Sequence, residues 1–313
     1  MHFGRAAARL FLAQQALSRE IARLERDLGV RLLDRSTRRV ALTPEGERLL
    51  PRARELLALA DRTVEEVRGI DRPLVVDVVR GESTAARVLA RARTLVDERQ
   101  LEGRFHGGFA AALAALLAHR VDVAFGRTAE RRRPLPDQLA RRLIRWEPLG
   151  LLVTEDHEFA RERALPVSMI KGLTVDTSAG NVAAPEWVEL ATELVEHFGG
   201  TPSPEHHPGM DAVAAAGADE TAHHLRSTGW PIVSMLDVPP VPGARLVPFT
   251  DPVPLYPWTM VHRSELQHPG LAALVEAADA VAETERWLEV PADAWVADDD
   301  RGLIDGNGHP GTS

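Results

Sequence analysis

A chain of 313 residues is long enough for two domains and a well-buried core. Hydrophobic residues make up 44% and charged residues 27%, the ordinary balance of a soluble globular protein. No apolar run approaches the roughly 18 residues that a membrane-spanning helix needs, so no membrane partner is expected. The absence of cysteine rules out disulfides, thiolate metal ligands and a thiol nucleophile. The start, basic but interrupted by Arg9, does not read as a cleavable signal, which makes the cytoplasm the expected compartment. Charge is unevenly spread. Residues 1–43 hold nine arginines against four acids, a net of +5, so the overall −9 leaves −14 for the remainder. Only the front of the chain is therefore expected to meet a polyanion.

Phe3, Ala6, Ala7 and Leu10 open the chain with a short helical pattern, its small alanines suited to a close helix crossing. Leu17, Ile21, Leu24 and Leu28 then recur at spacings of 4, 3 and 4, one face of a second helix, with Gly29 as its stop. Two strand-like runs, 31–33 and 40–42, flank the polar tip Ser36-Thr37-Arg38-Arg39. Helix, turn, helix and basic hairpin is the outline of a winged helix-turn-helix, its second helix suited to the major groove. Gln14, Gln15 and Arg19 carry donors able to reach base edges, and Arg23 falls with them. Ser18 and the wing arginines Arg35, Arg38 and Arg39 suit phosphates. A solvated amphipathic helix is the plain alternative. The following stretch favours DNA. Thr43 is a suitable N-cap, Pro44 suits the first helical position, and Leu49, Ala53, Leu56, Ala60, Val64 and Val67 form one seam to residue 68. This reads as a single long helix that pairs with a copy of itself behind a DNA-reading unit.

The segment "FGRAAARLFLAQQALSREIARLERDLGVRLLDRSTRRVALTPEG" resembles the N-terminal signature of LysR-type transcriptional regulators. The paired alanines, Gln-x-Ala-Leu-Ser, Leu-Glu-x-x-Leu-Gly-x-x-Leu and the Thr-x-x-Gly after the wing match in order and spacing, over about 65 residues. The resemblance implies a fold: an N-terminal winged helix-turn-helix (1–43), a linker and dimerisation helix (44–68), a hinge (69–73), then a two-lobed periplasmic-binding-protein-like α/β effector domain (74–290). It also implies a homodimer or homotetramer bound to promoter DNA, acting on the transcription machinery under a small-molecule effector. The family usually has proline where Gln15 stands, so Gln15 either reads a base or replaces a helix-start proline. The family also has an amphipathic helix ahead of residue 1, and the expectation is a true start upstream of Met1.

Beyond the hinge, "LVVDVVR" (74–80) reads as a buried strand, followed by a helix to about Arg99, the helix "FAAALAALLAHR" and the strand "VDVAFGR" (121–127). This alternation predicts a parallel sheet. "GLLVTEDH" (150–157), "LTVDT" (173–177), the helix 186–198 and "PIVSM" (231–235) read as a second unit. The chain returns to the first through 256–262 and the helix 269–288. The lobes are thus expected at 74–146 with 247–290, and at 147–246; the Asp- then Gly-rich tail, 291–313, is expected to be disordered. Effectors bind such a fold between lobes, at strand ends and helix starts. Ser83 and Thr84 fit that position or merely cap a helix. Gly126, Arg127 and Thr128 end another strand, where Arg127 either pairs with an anionic ligand or lies in a solvated hinge. Thr177, Ser178 and Asn181 form the third candidate group.

His206, His207, Asp211, His223 and His224 lie within 19 residues, but their spacing fits no metal motif, and no metal or cofactor is expected. No Gly-x-Ser-x-Gly elbow, phosphate loop or His-Glu-x-x-His occurs, and Ser83 in "RGEST" has no assignable base, so no enzyme is expected.

Overall fold

The leucine-spaced helix is present as α1 (Gln14–Leu28). Gly29 ends it in the left-handed conformation, φ 69°, and the Val30 N–H returns to the Glu25 carbonyl at 3.2 Å. The computed structural model describes residues 13–36, 39–67, 72–78, 83–128, 134–178, 184–204 and 217–305, in two units that divide after Ile70. The expected helix at Phe3–Leu10 and most of the hinge lie outside the described residues.

In the first unit, β1 (Leu33–Ser36) and β2 (Arg39–Leu42) pair antiparallel, Leu33 opposite Leu42 and Ser36 opposite Arg39. The Thr-Pro-Glu-Gly that follows locks this hairpin to α2 (Pro44–Val67). The Thr43 hydroxyl donates to the Arg31 carbonyl at 2.6 Å and accepts from the Gly46 N–H at 3.0 Å. A Cβ at Gly46 would stand 2.1 Å from the Leu32 carbonyl oxygen, so only glycine lets the helix approach the hairpin this closely. Helix α2 runs 24 residues, about 36 Å, through an internal Pro51 that the reading of one unbroken helix passed over. That proline removes one backbone donor without ending the helix. Leu56 and Leu57 are each 67% exposed among the described residues.

The second unit is built on one nine-stranded sheet. Its first half orders β4 (Leu101–Arg104), β3 (Leu74–Asp77), β5 (Val123–Gly126), β12 (Val253–Arg263) and β6 (Leu139–Thr154). Strands β3, β4 and β5 are parallel, as expected, but β12 runs antiparallel to β5 and β6, so the sheet is mixed and not parallel throughout. The second half continues along β6, which pairs with β10 (Ile232–Met235) on one side and β11 (Ala244–Thr250) on the other, and β7 (Leu165–Pro166) closes the edge. A small parallel pair, β8 (Thr174–Val175) and β9 (Thr201–Pro202), flanks it.

Helices α3 (Thr84–Ala92) and α7 (Pro269–Thr284) pack on each other over the first half, with α4 (Phe109–Leu117) beside β5. Helix α3 is shorter than expected, ending at Ala92 and not near Arg99. Over the second half lie α5 (Pro185–His197) and α6 (Ala218–Thr228). Leu74, Val76, Val88, Phe125 and Leu274 belong to the same continuous core as Leu149, Leu151, Ile170, Leu190 and Leu194. Burying such side chains is worth about 1.5–3 kcal/mol each against leaving them in water.

The tail is where the structure departs furthest from the expectation of disorder. The last segment forms β13 (Ala294–Trp295), parallel to β12 at Val253 and Pro254, then two short helical turns at Asp298–Asp300 and Gly302–Asp305. Trp295, Val296 and Ala297 are buried. Residues 306–313 lie outside the described part.

Candidate functional site

On α1, Gln14, Gln15, Arg19 and Arg23 are exposed and Ser18 is half-buried, which leaves a polar helix face open to an external partner. Arg23 stands 3.9 Å from Asp27, both largely solvated. Glu25, on the same helix, does structural work: its Oε1 accepts the Leu32 and Leu33 N–H groups at 2.9 and 3.0 Å, fixing where the hairpin leaves the helix. Arg35 and Arg39 sit on the facing strands of that hairpin, while Arg38 lies outside the described residues.

In the second unit each candidate group has its own partners. Ser83 caps α3, its Oγ accepting the Ala86 N–H at 3.3 Å. Thr84 is buried and accepts a hydrogen bond from Arg145 Nη1 at 2.9 Å. Arg145 is a buried residue that sequence reading missed. It also meets Asp237 at 2.6 Å and Glu147 at 3.7 Å, and its guanidinium lies 4.8 Å from the Trp287 ring centre. Glu147 accepts from Trp258 Nε1 at 2.5 Å. Burial pushes its carboxyl above the usual range, against the pull of Arg145 and Trp258. Arg87 on α3 completes this cluster through Asp237 and Glu285. The signal was present in Arg-Trp-Glu-Pro, 145–148, where two opposite charges flank a tryptophan inside an extended run.

Gly126 closes β5 beneath the Phe109 ring, which a Cβ there would meet at 2.3 Å. Arg127 is fully buried, so the solvated-hinge alternative is excluded. Its Nε donates to Asp300 Oδ2 at 2.6 Å and its Nη1 to the Glu186 carbonyl at 3.0 Å, bringing together β5, the start of α5 and the C-terminal segment. Desolvation raises Asp300 to about 6 despite the guanidinium beside it. Thr128 is buried 3.5 Å from the Thr259 hydroxyl. Thr177 is buried near Thr192, and the half-buried Ser178 donates its N–H to Asp176 at 2.8 Å. Asn181 lies outside the described residues.

Of the histidines, His224 is buried and bonded to Asp176 at 2.6 Å, while His223 is exposed. His206, His207 and Asp211 lie outside the described residues, and among the described ones no three groups gather as metal ligands. No described helix is long and apolar enough to cross a membrane.

Residues 1–47 match the family described as bacterial regulatory helix-turn-helix protein, lysR family. The front of the chain is thus similar to a LysR-family helix-turn-helix. The chain's sequence is 31% identical over 179 residues to the HTH-type transcriptional regulator BudR of Raoultella terrigena, covering 54% of this chain and 59% of that one. It is 52% identical over 73 residues to a probable hydrogen peroxide-inducible genes activator of Mycobacterium xenopi, covering 23% of this chain and 39% of the relative. In each case the chain spans less than two thirds of the relative's length. The fold matches CbnR in its full-length complex with target DNA, with a TM-score of 0.64 at 23% identity, over 89% of this chain and 94% of that one. BudR and CbnR are transcriptional regulators by name, CbnR of the LysR family.

Proposed function

We propose that the chain is a DNA-binding transcriptional regulator controlled by a small molecule held between two α/β lobes. The observation that carries this reading is the first unit. An exposed face of Gln14, Gln15, Arg19 and Arg23 stands on a helix that Glu25 ties to an arginine-bearing hairpin, in a segment matching the LysR family. In this reading α1 enters the major groove and the wing arginines, with Ser18, hold phosphates. The uncovered leucines of α2 meet a second copy, which gives a homo-oligomer on symmetric half-sites. That a solved relative is a complex with its target DNA supports the same partner here.

The effector domain of this reading spans 74–290, with the ligand near Ser83, Thr84, Gly126–Thr128, Thr177, Ser178 and Asn181. Arg145 joins that set on its contact with Thr84. No residue is given a catalytic role, and the protein works in the cytoplasm on promoter DNA and the transcription machinery.

The test is a footprint of the full chain on DNA flanking its own gene across a salt series. Protection whose affinity falls steeply with salt is the expected result. Arg19→Ala should then flatten the preference among single-base operator variants by about tenfold at one position. Salt-insensitive binding, or none, would overturn the DNA reading.

A further inference from the structure

The C-terminal segment does more than cover the sheet. Trp295 packs 6.1 Å from Phe198 and 5.8 Å from His197, ring centre to ring centre, at the end of α5. The Asp298 N–H donates to Glu193 on the same helix at 2.9 Å. The segment then delivers Asp300 to Arg127, at the carboxyl end of β5. That edge of the parallel strands is where open α/β sheets take small ligands. A guanidinium buried there is held in place by the Glu186 carbonyl and gives its Nε–H to one carboxylate.

Asp300 fills the place incompletely. One oxygen bonds Arg127, while the other, Oδ1, is buried with no hydrogen-bond partner among the described residues. Most buried carboxylate oxygens in folded proteins find a donor, so Asp300 is an incomplete fit to this place. The surrounding charges also oppose it: Asp299 and Glu193 both disfavour its ionised form, and the Tyr256 hydroxyl nearby is fully buried. The segment is held by one two-residue strand, two brief helical turns and the contacts of Trp295, Asp298 and Asp300.

We infer that Arg127 is a carboxylate-recognition site that the chain's own Asp300 occupies, and that a free small carboxylate competes with Asp300 for it. The C-terminal segment is then a built-in competitor of an anionic ligand. That regulatory meaning rests on the effector-gated reading above, whereas the binding site itself does not.

Asp300→Ala in the full chain vacates the position. Acetate and formate should raise the unfolding midpoint of this variant in a saturable way, by about 3 °C, while chloride at equal ionic strength does not. Identical responses to acetate and chloride would overturn the proposal. Should the variant not fold, the wild-type chain decides. Competition requires acetate, and not chloride, to speed amide exchange across 298–305, and unchanged exchange there overturns the site. The footprint separates the two ideas. An acetate-responsive chain that protects no DNA refutes the regulator reading alone. A DNA-binding chain indifferent to carboxylates refutes the Arg127 site alone.

Discussion

At Asp122 one buried carboxylate accepts four hydrogen bonds: two from Arg72 at 2.6 and 2.7 Å, one from Arg263 at 2.7 Å and one from the Val75 N–H at 2.9 Å. Arg263 Nη1 donates to the carbonyls of Leu116 and Val121 at 3.0 and 2.9 Å, so the cluster joins the loop before β5 to β3 and β12. Burial pushes the Asp122 carboxyl up, but Arg72, the Val75 N–H and Arg263 together outweigh it and hold the group below the usual range. A carboxyl so depressed stabilises the fold above its unfolded pKa of about 3.9, and that contribution disappears as the pH falls through the folded value. Acid unfolding driven by this group should therefore begin below about pH 4. Asp122→Asn takes from Arg263 its buried counter-ion, leaving it the exposed Glu265 at 3.8 Å, and should cost about 3–5 kcal/mol at pH 7. It should also flatten the acid limb of the stability curve. Urea unfolding at pH 7 and pH 3.5 checks both, and an unaltered acid limb would remove Asp122 from that role.

The elements of the first unit depend on the close approach at Gly46. A methyl group there would press on the Leu32 carbonyl, so Gly46→Ala must push α2 away from the hairpin, a misfit of about 1–3 kcal/mol. Amide exchange in β1 and β2 should quicken by tenfold or more while β3–β5 are unchanged. Equal rates in variant and wild type would show that the hairpin does not lean on this contact. The sequence reading found this motif and α1 because their signals are local: a leucine period, a cap, a glycine. It missed the front of β6. There Arg145 and Glu147 look like surface residues, and only their partners, Thr84, Asp237 and Trp258, make them buried. The C-terminal segment was missed for the same physical reason. Three consecutive aspartates read as solvated chain, and the arginine that receives the third lies 173 residues earlier. For the candidate site, the strand-end positions were legible from the alternation of elements. Which of them already hold an internal partner was not, because long-range ion pairs leave no periodic trace.

On the scale of the whole second unit, β6 links the two halves. It is one 16-residue strand, hydrogen-bonded to β12 from Leu139 to Pro148 and then to β10 and β11 from Leu149 to Thr154. A pliable linker at that crossing would let the halves swing like a book. A strand laddered along its whole length resists swinging and yields most readily in torsion, as a twisted bar does. The ladder has one slack point, the register shift at Trp258/Thr259 of β12, where Ile144 of β6 is skipped. Amides of β6 on either side of the crossing should stay among the slowest to exchange, with only those next to Ile144 responding to bound ligand. Rapid exchange at residues 147–149 would mean a free hinge. If the strand is instead a torsion bar, what the halves signal to each other is an angle of winding, a few degrees in size and shared along the entire sheet.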